Sequence, residues 1–294
     1  VTLSVVIATR DRAAFLDHAL SSLRGQRGAP PFDVVVADNG SQDATAEVVA
    51  RHAAEATFPL RRVYVPEPNR GAARNRGVAE ASGEVVVFVD DDVVLPEGFL
   101  AAHAREQAGP GWITVAGPIL NVPAFSDRPK PGPQNGSRAF LCTCNASVAR
   151  AAFDAVGGFD EQFRLYGWED TELGIRLRRL GVKRRFSWDA YLYHIKPAAT
   201  ETLDAVLRKT VEKARMAARL VRKDPATRTR LATGAYAANF VRAALMTPGW
   251  SLPTYEALAR NERAPARLRA LARARYLDGV YIRELRAALR EHAG

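Results

Sequence analysis

The chain has 294 residues, 47% hydrophobic and 25% charged, an ordinary soluble globular composition with room for one large domain or a domain with an appendage. It contains no run of eighteen apolar residues, which excludes an ordinary membrane-spanning helix. The net charge of +10 lies wholly in residues 201–294, with 19 Lys/Arg against 9 Asp/Glu, because residues 1–200 hold 23 of each.

The sequence opens on "VTLSVVIATR", which reads as a core strand (Leu3–Ala8) with no basic-then-apolar leader, so no signal segment is expected. "AAFLDHALSSLRGQ" follows with Phe15, Leu16, Ala19, Leu20 and Leu23 at helical spacing. A strand "DVVVADNGS", a helix "QDATAEVVARHAAE", a strand "RRVYVPE", a helix "GAARNRGVAEASG" and a strand "EVVVFVDDD" come next. This alternation predicts an α/β fold with a mostly parallel sheet flanked by helices. Ligands of such sheets bind beyond the carboxyl ends of the strands, where "TRDR", "DNGSQD", "EPNRG" and "DDD" all fall.

From Pro118 to Ser137 the chain reads as a loop with five prolines, a candidate lid over a site. "RAFLCTCNASVARAAFDAVGGFDE" predicts a strand, a short helix and a turn; Cys142 and Cys144 read as small strand residues without a metal or redox role. "WEDTELGIRLRRLG" predicts a helix stopped by Gly181, and "DAYLYHIKP" a last strand. Beyond Pro197 the pattern is helical, with one stripe through Leu203, Val206, Leu207, Val211, Ala214 and Val221 and another in "APARLRALARARYLDGVYIRELRAALREH". The domains are expected at 1–197 and 198–294. His18, His52, His103 and His292 fall in helical patterns and are expected at the surface.

Three adjacent carboxylates, Asp90, Asp91 and Asp92, at the end of a buried strand are costly unless a cation is shared among them. Oxygen ligands in that position suit a hard divalent ion, Mn2+ or Mg2+, held together with substrate phosphates. Alternation along a strand lets two of the three, at most, face one ion. Asp38 ends the second strand, where it can accept the N3–H of a uracil-like base or cap the following turn. "NRGAARNRGV" offers Arg70, Arg74 and Arg76 with small residues that let a phosphate approach.

"SVVIATRDR", "VVVADNGSQDAT", "NRGAARNRGV", "GEVVVFVDDD", "VGGFDE" and "YGWEDTELGIRLRRLG" stand in an order that resembles family 2 glycosyltransferases of the GT-A fold, over residues 1 to about 197. The resemblance makes the sheet the mixed, Rossmann-like one of the GT-A fold. It implies an inverting transferase that moves a sugar from a nucleotide-diphosphate donor, UDP first, to a hydroxyl of a glycan or lipid-linked acceptor. It identifies the acidic triplet with the DXD motif, making Asp92 the metal ligand and placing Asp90 and Asp91 with the donor. It puts Thr9, Arg12, Asp38 and Arg74 around the nucleotide, and His194 as a late metal ligand with Lys196 near the diphosphate. It makes Asp170 of "GWED" the catalytic base, with Glu169 and Trp168 toward the acceptor. A helix start should favour ionised Asp170 through its dipole and free N–H groups. Where the family often carries a second acid after Asp38, this chain has Asn39.

A nucleotidyltransferase would need glycines just after the first strand, and "ATRDRAAF" has none. The alternative from another class is a non-catalytic carbohydrate- or nucleic-acid-binding protein with a basic tail. The tail lacks interleaved aromatics, so nucleic acid is not expected. Its charge suits packing at the acceptor site or peripheral contact with the inner face of a membrane, in an otherwise cytoplasmic protein whose oligomeric state is open.

Overall fold

The structure, a computed structural model, describes residues 1–197 and 202–291. The chain divides into two compact units, one of Val1–Arg164 with Glu169–Ala198, the other of Leu165–Trp168 with Ala199–Gly294. The expected boundary after residue 197 abuts residues outside those described, and His292 lies outside them.

The first unit begins with β1 (Leu3–Thr9), α1 (Ala13–Arg24), β2 (Phe32–Asp38), α2 (Thr45–Glu55), β3 (Leu60–Tyr64), α3 (Arg70–Glu80) and β4 (Val85–Asp90). It continues through β5 (Val93–Val94), α4 (Phe99–Gln107), β6 (Ile113–Ala116), β7 (Ile119–Val122), β8 (Asn145–Ala149) and α5 (Arg150–Ala155). Last come α6 (Glu169–Arg179), β9 (Lys183–Phe186) and β10 (Leu192–Ile195). The main sheet runs β3-β2-β1-β4-β8-β6-β9, parallel except where β8 pairs antiparallel with β4 and β6. This is the mostly parallel sheet that the alternation predicts, mixed as the resemblance implies.

The continuous apolar runs arise because both faces are covered. Val5, Ile7, Val34, Val36, Val85, Val87 and Val89 pack on one side with Leu16, Leu20, Leu23 and Phe99. Their alternates Val6, Val35, Val86 and Phe88 pack on the other with Val78, Phe153 and Leu173. Each such side chain contributes about 1.5–3 kcal/mol of burial. Gly77 lets α3 lie close on the sheet, since a Cβ there would come within 2.7 Å of Val6.

Three expectations change. The 118–137 segment is not loop throughout: Ile119–Val122 forms β7, whose partner β10 lies more than seventy residues later and leaves no local signal. The prolines at 118 and 123 bound the strand and do not interrupt it. Cys142 and Cys144 lie in the turn before β8, because the ladder with β4 starts only at Asn145. His52 and His103 are buried; each finds side-chain partners that make an interior imidazole tolerable. His52 Nε2 is 2.6 Å from Asp17 Oδ1, and His103 meets Ser147 Oγ at 2.9 Å and Asn145 Oδ1 at 3.0 Å. Burial pushes the His103 imidazole down to about 4, so it is neutral at physiological pH.

The second unit contains α7 (Leu203–Lys223), α8 (Thr227–Thr233), α9 (Ala237–Met246), α10 (Leu252–Arg260) and α11 (Ala266–Arg290). Ala214, Ala217, Ala218 and Val221 of α7 meet Leu285 and Ala288 of α11, small residues that bring the two helices close. Trp168 belongs to this unit, donating its indole N–H to the Lys213 carbonyl at 2.9 Å. Among the described residues, no helix is long and apolar enough to cross a membrane.

Candidate active site

The ends of β1, β2 and β4 lie side by side, with Thr9 opposite Asp38 and Ala8 opposite Asp90. β4 ends at Asp90, and the bend that follows turns Asp91 and Asp92 in their own directions. Asp91 turns inward, where Thr9 Oγ1 donates to its Oδ2 at 2.7 Å and Arg12 Nη1 to its Oδ1 at 3.0 Å. Burial pushes the Asp91 carboxyl up to about 7 against the pull of Arg12 and Thr9. Arg12 also donates through Nη2 to Asp92 Oδ2 at 2.9 Å, so its guanidinium braces two of the three acids.

The second sheet, β5-β10-β7, completes this side. In it His194 pairs with Val93 on one strand and Asn121 on the other, while the Ile195 N–H donates to the Asp92 carbonyl at 2.8 Å. His194 Nδ1 lies 3.0 Å from Asn121 Oδ1, a partner that fixes its proton there and leaves the Nε2 lone pair free. Nε2 stands 3.1 Å from Asp92 Oδ1, yet that buried oxygen has no hydrogen-bond partner. Two donors at about 2.2 Å from one ion, at right angles, are about 3.1 Å apart. The pair therefore fits a divalent cation. Burial opposes charge on Asp92, but a protonated His194, with Arg12 and Lys196, outweighs it and holds the carboxyl down to about 2. A bound cation would take the place of the proton on Nε2.

Arg74 joins this side to the "GWED" segment. The cap of its helix is set by Asn69, whose side chain accepts from the Ala72 N–H and whose own N–H donates to Asn39 Oδ1 at 2.7 Å. Asn39, the departure from the family pattern, thus positions the helix that carries Arg74. The buried guanidinium lies 3.3 Å from Asp90 Oδ1, 3.5 Å from Glu169 Oε1 and 3.9 Å from Asp170 Oδ1. Its Nη1 has no hydrogen-bond partner. It is a cation held among three carboxylates with a donor to spare.

Asp170 sits in the first turn of α6 and accepts from the Thr143 N–H at 2.9 Å and the Thr143 hydroxyl at 2.9 and 3.0 Å. The helix start does not win here. Loss of water pushes the Asp170 carboxyl up to about 6, although Arg74 and the Thr143 N–H pull the other way. The carboxyl is therefore a stronger base than an exposed aspartate. Trp168, just before the helix, has φ of 73°, a left-handed conformation that costs about 1–2 kcal/mol outside glycine.

The structure gathers these residues into two sets of contacts, Thr9, Arg12, Asp91, Asp92 and His194 in one and Arg74, Asp90, Glu169 and Asp170 in the other, adjoining through the consecutive Asp90 and Asp91. Lys196 stands at the margin of the first, 3.9 Å from Asp92 Oδ2 and largely exposed. Asp38 is fully buried and engaged, accepting from the Ser41 N–H at 2.8 Å and from Arg62 Nε at 2.8 Å, which is the turn-capping role. Sequence reasoning missed Thr143 and Asn121. The one signal for Thr143 was its position in "LCTCN", directly before a strand pairing with the acidic one.

Residues 4–155 match the family described as Glycosyl transferase family 2, and residues 124–197 match one described as the N-terminal domain of galactosyltransferase. Validoxylamine A glucosyltransferase of Streptomyces hygroscopicus subsp. limoneus is 30% identical over 235 residues, 64% of this chain and 50% of that protein. Hyaluronan synthase of Pasteurella multocida is 24% identical over 248 residues, 68% of this chain and 25% of that one. The chain spans about half the length of the validoxylamine A glucosyltransferases it matches. The mannosyltransferase PcManGT from Pyrobaculum calidifontis, solved with GDP-Man and Mn2+, has a TM-score of 0.67 at 20% identity, covering 99% of this chain and 88% of that one. Residues 1–349 of S. aureus TarS, solved with UDP-GlcNAc, have a TM-score of 0.59 at 19% identity, covering 99% and 91%. With the family model matched over more than half of the sequence, the chain belongs to glycosyl transferase family 2.

Proposed function

We propose that the chain is a metal-dependent inverting glycosyltransferase that moves a hexosyl or N-acetylhexosaminyl group from a nucleotide-diphosphate sugar, UDP-linked in our reading, to a hydroxyl of a glycan or glycolipid. One observation carries the proposal: the Arg74 guanidinium lies 3.3 Å from Asp90 and 3.9 Å from Asp170, so the acidic triplet and the basic carboxylate share one small site. Mannosyltransferase PcManGT was solved with GDP-Man and Mn2+, and TarS with UDP-GlcNAc, which supports a nucleotide-sugar donor.

Asp92 and His194 would hold the divalent ion, Mn2+ or Mg2+, which when bound offsets negative charge on the departing diphosphate. Arg74 has a free N–H on Nη1 to donate to the same developing charge. Asp170, oriented by Thr143, takes the proton of the acceptor hydroxyl as its oxygen attacks the anomeric carbon from the face opposite the leaving group. Thr9 and Arg12 keep Asp91 and Asp92 in place. We assign acceptor contacts to Glu169 and to Trp168, the preceding residue.

The test is a panel of nucleotide sugars assayed for binding and slow hydrolysis with and without Mn2+. The proposal expects one or more UDP-sugars to be bound and hydrolysed only with the ion. Metal-independent binding across the panel, with no hydrolysis, would favour the non-catalytic alternative.

A further inference from the structure

The cysteine pair was set aside on sequence, but one of the two stands at the cation site. A side-chain donor atom from each of Asp90, Cys144 and His194 lies within 4.8 Å of the other two. Donors on opposite sides of one ion, at about 2.1–2.4 Å each, are at most about 4.8 Å apart, and these three meet that limit. The placement follows from the ladder. Val89 pairs with Asn145 across the antiparallel β4–β8 contact, and one step beyond that pair stand Asp90 and Cys144.

Both chain neighbours of Cys144 are tied down. Asn145 Nδ2 donates to the Pro118 carbonyl at 3.1 Å and the Ala190 carbonyl at 2.8 Å. Thr143 is bonded through N–H and hydroxyl to Asp170. Beside this trio Asp92, 3% exposed, turns its unpartnered Oδ1 toward His194, an independent sign that a cation belongs here. Cys142, two residues away, is not among the three.

We propose that the Cys144 sulfur is a direct donor to the divalent cation. The site would then favour cations that accept mixed oxygen, nitrogen and sulfur ligands, such as Mn2+, Co2+, Zn2+ and Cd2+, over the hard ion Mg2+. This rests on the reading that a divalent ion binds at His194. Cys144 then sets which ion the site takes, while the carboxylates and the imidazole set that an ion is taken at all.

The experiment uses the full chain, stripped with chelator and titrated with Co2+ in the presence of UDP, followed by absorption. The expected result is a visible ligand-field band with a near-ultraviolet sulfur-to-cobalt charge-transfer band. Cys144→Ser loses the second band but keeps the first, and Cys142→Ser keeps both. Calorimetry should show Cys144→Ser weakening Cd2+ by about 10-fold or more while leaving Mg2+ unchanged. Co2+ bound to the unmodified protein without the charge-transfer band, or the band surviving in Cys144→Ser, overturns the sulfur ligand and leaves the metal reading standing. Absence of any cobalt binding overturns the metal reading and the sulfur ligand together. Circular dichroism of both variants shows whether each is folded, and the unmodified protein alone suffices to reject the proposal.

Discussion

Thr143 holds Asp170 with two donors at once, its backbone N–H at 2.9 Å and its hydroxyl at 2.9 and 3.0 Å from the two carboxylate oxygens. A carboxylate fixed in this way keeps its remaining lone pairs aimed in one direction, which a base needs if it is to meet an acceptor hydroxyl. Each donor also favours the charged form, against the loss of water that raises this carboxyl.

Thr143→Val removes the hydroxyl and keeps the backbone donor. A hydrogen bond to a charged group is worth about 1.5–3 kcal/mol, and about 1.4 kcal/mol corresponds to one pH unit. The acidic limb of the kcat profile should therefore move up by about one unit, with kcat falling by about 5-fold near pH 6, by about 10-fold at pH 5, and with donor KM little changed. Steady-state rates from pH 5 to 9 check this; an unmoved limb would show that the hydroxyl does not tune the base.

In the unmodified protein the transfer rate should rise with pH and level off above about 6, where Asp170 loses its proton. The direction follows from its role: only the ionised carboxylate can accept the acceptor's proton. A rate that instead fell through this range would assign Asp170 to general acid catalysis.

Arg74→Met leaves Asp90, Glu169 and Asp170 without their shared buried cation. Removing one partner of a buried ionic cluster costs about 3–5 kcal/mol. Asp170 is pushed up from its ordinary value, so ionising it costs folding stability as pH rises from about 4 through about 6, and loss of Arg74 steepens that cost. The gap between the variant and the unmodified protein should be widest above about pH 7 and narrow toward pH 5. Urea unfolding at the two pH values measures it.

Asn121→Ala removes the acceptor that fixes the His194 tautomer, without touching Asp92. Mn2+ affinity should fall by about 10–100-fold, read by calorimetry in the presence of UDP. Unchanged affinity would mean that His194 is not a ligand.

The basic helical unit also exposes apolar side chains, Leu245 at 76% and Trp250 at 82% among them. Charge and apolar groups together suit an anionic bilayer surface. Sedimentation with phosphatidylglycerol vesicles at low salt should pellet the protein, and Trp250→Asp should reduce the pelleted fraction several-fold. Absence of sedimentation at low salt would remove the membrane from the account.

The parallel strands were legible because Val5, Val6, Ile7 and their equivalents face covered layers on both sides, a pattern written into consecutive residues. Asp90, Asp91 and Asp92 were legible as a site because charge beside a buried strand needs a reason. Their division of labour was not, since it depends on which way each turns: Asp91 toward Thr9 and Arg12, Asp92 toward His194. Asn121 and β7 were hidden because their partner strand is remote in sequence. Asp170 was found by motif, but its environment was misjudged, because burial depends on Arg74 and Thr143, from elements far along the chain.

The central claim is that Asp170 is the base of a sugar transfer in which the triplet holds the donor. Asp170→Asn keeps the shape and one acceptor oxygen for Thr143 while abolishing the basic oxygen. Mn2+-dependent binding of the cognate nucleotide sugar, measured by calorimetry beside the transfer rate, should stay within about 3-fold while transfer falls by about 100-fold or more. Transfer that persists at near the unmodified rate in this variant would contradict the assignment.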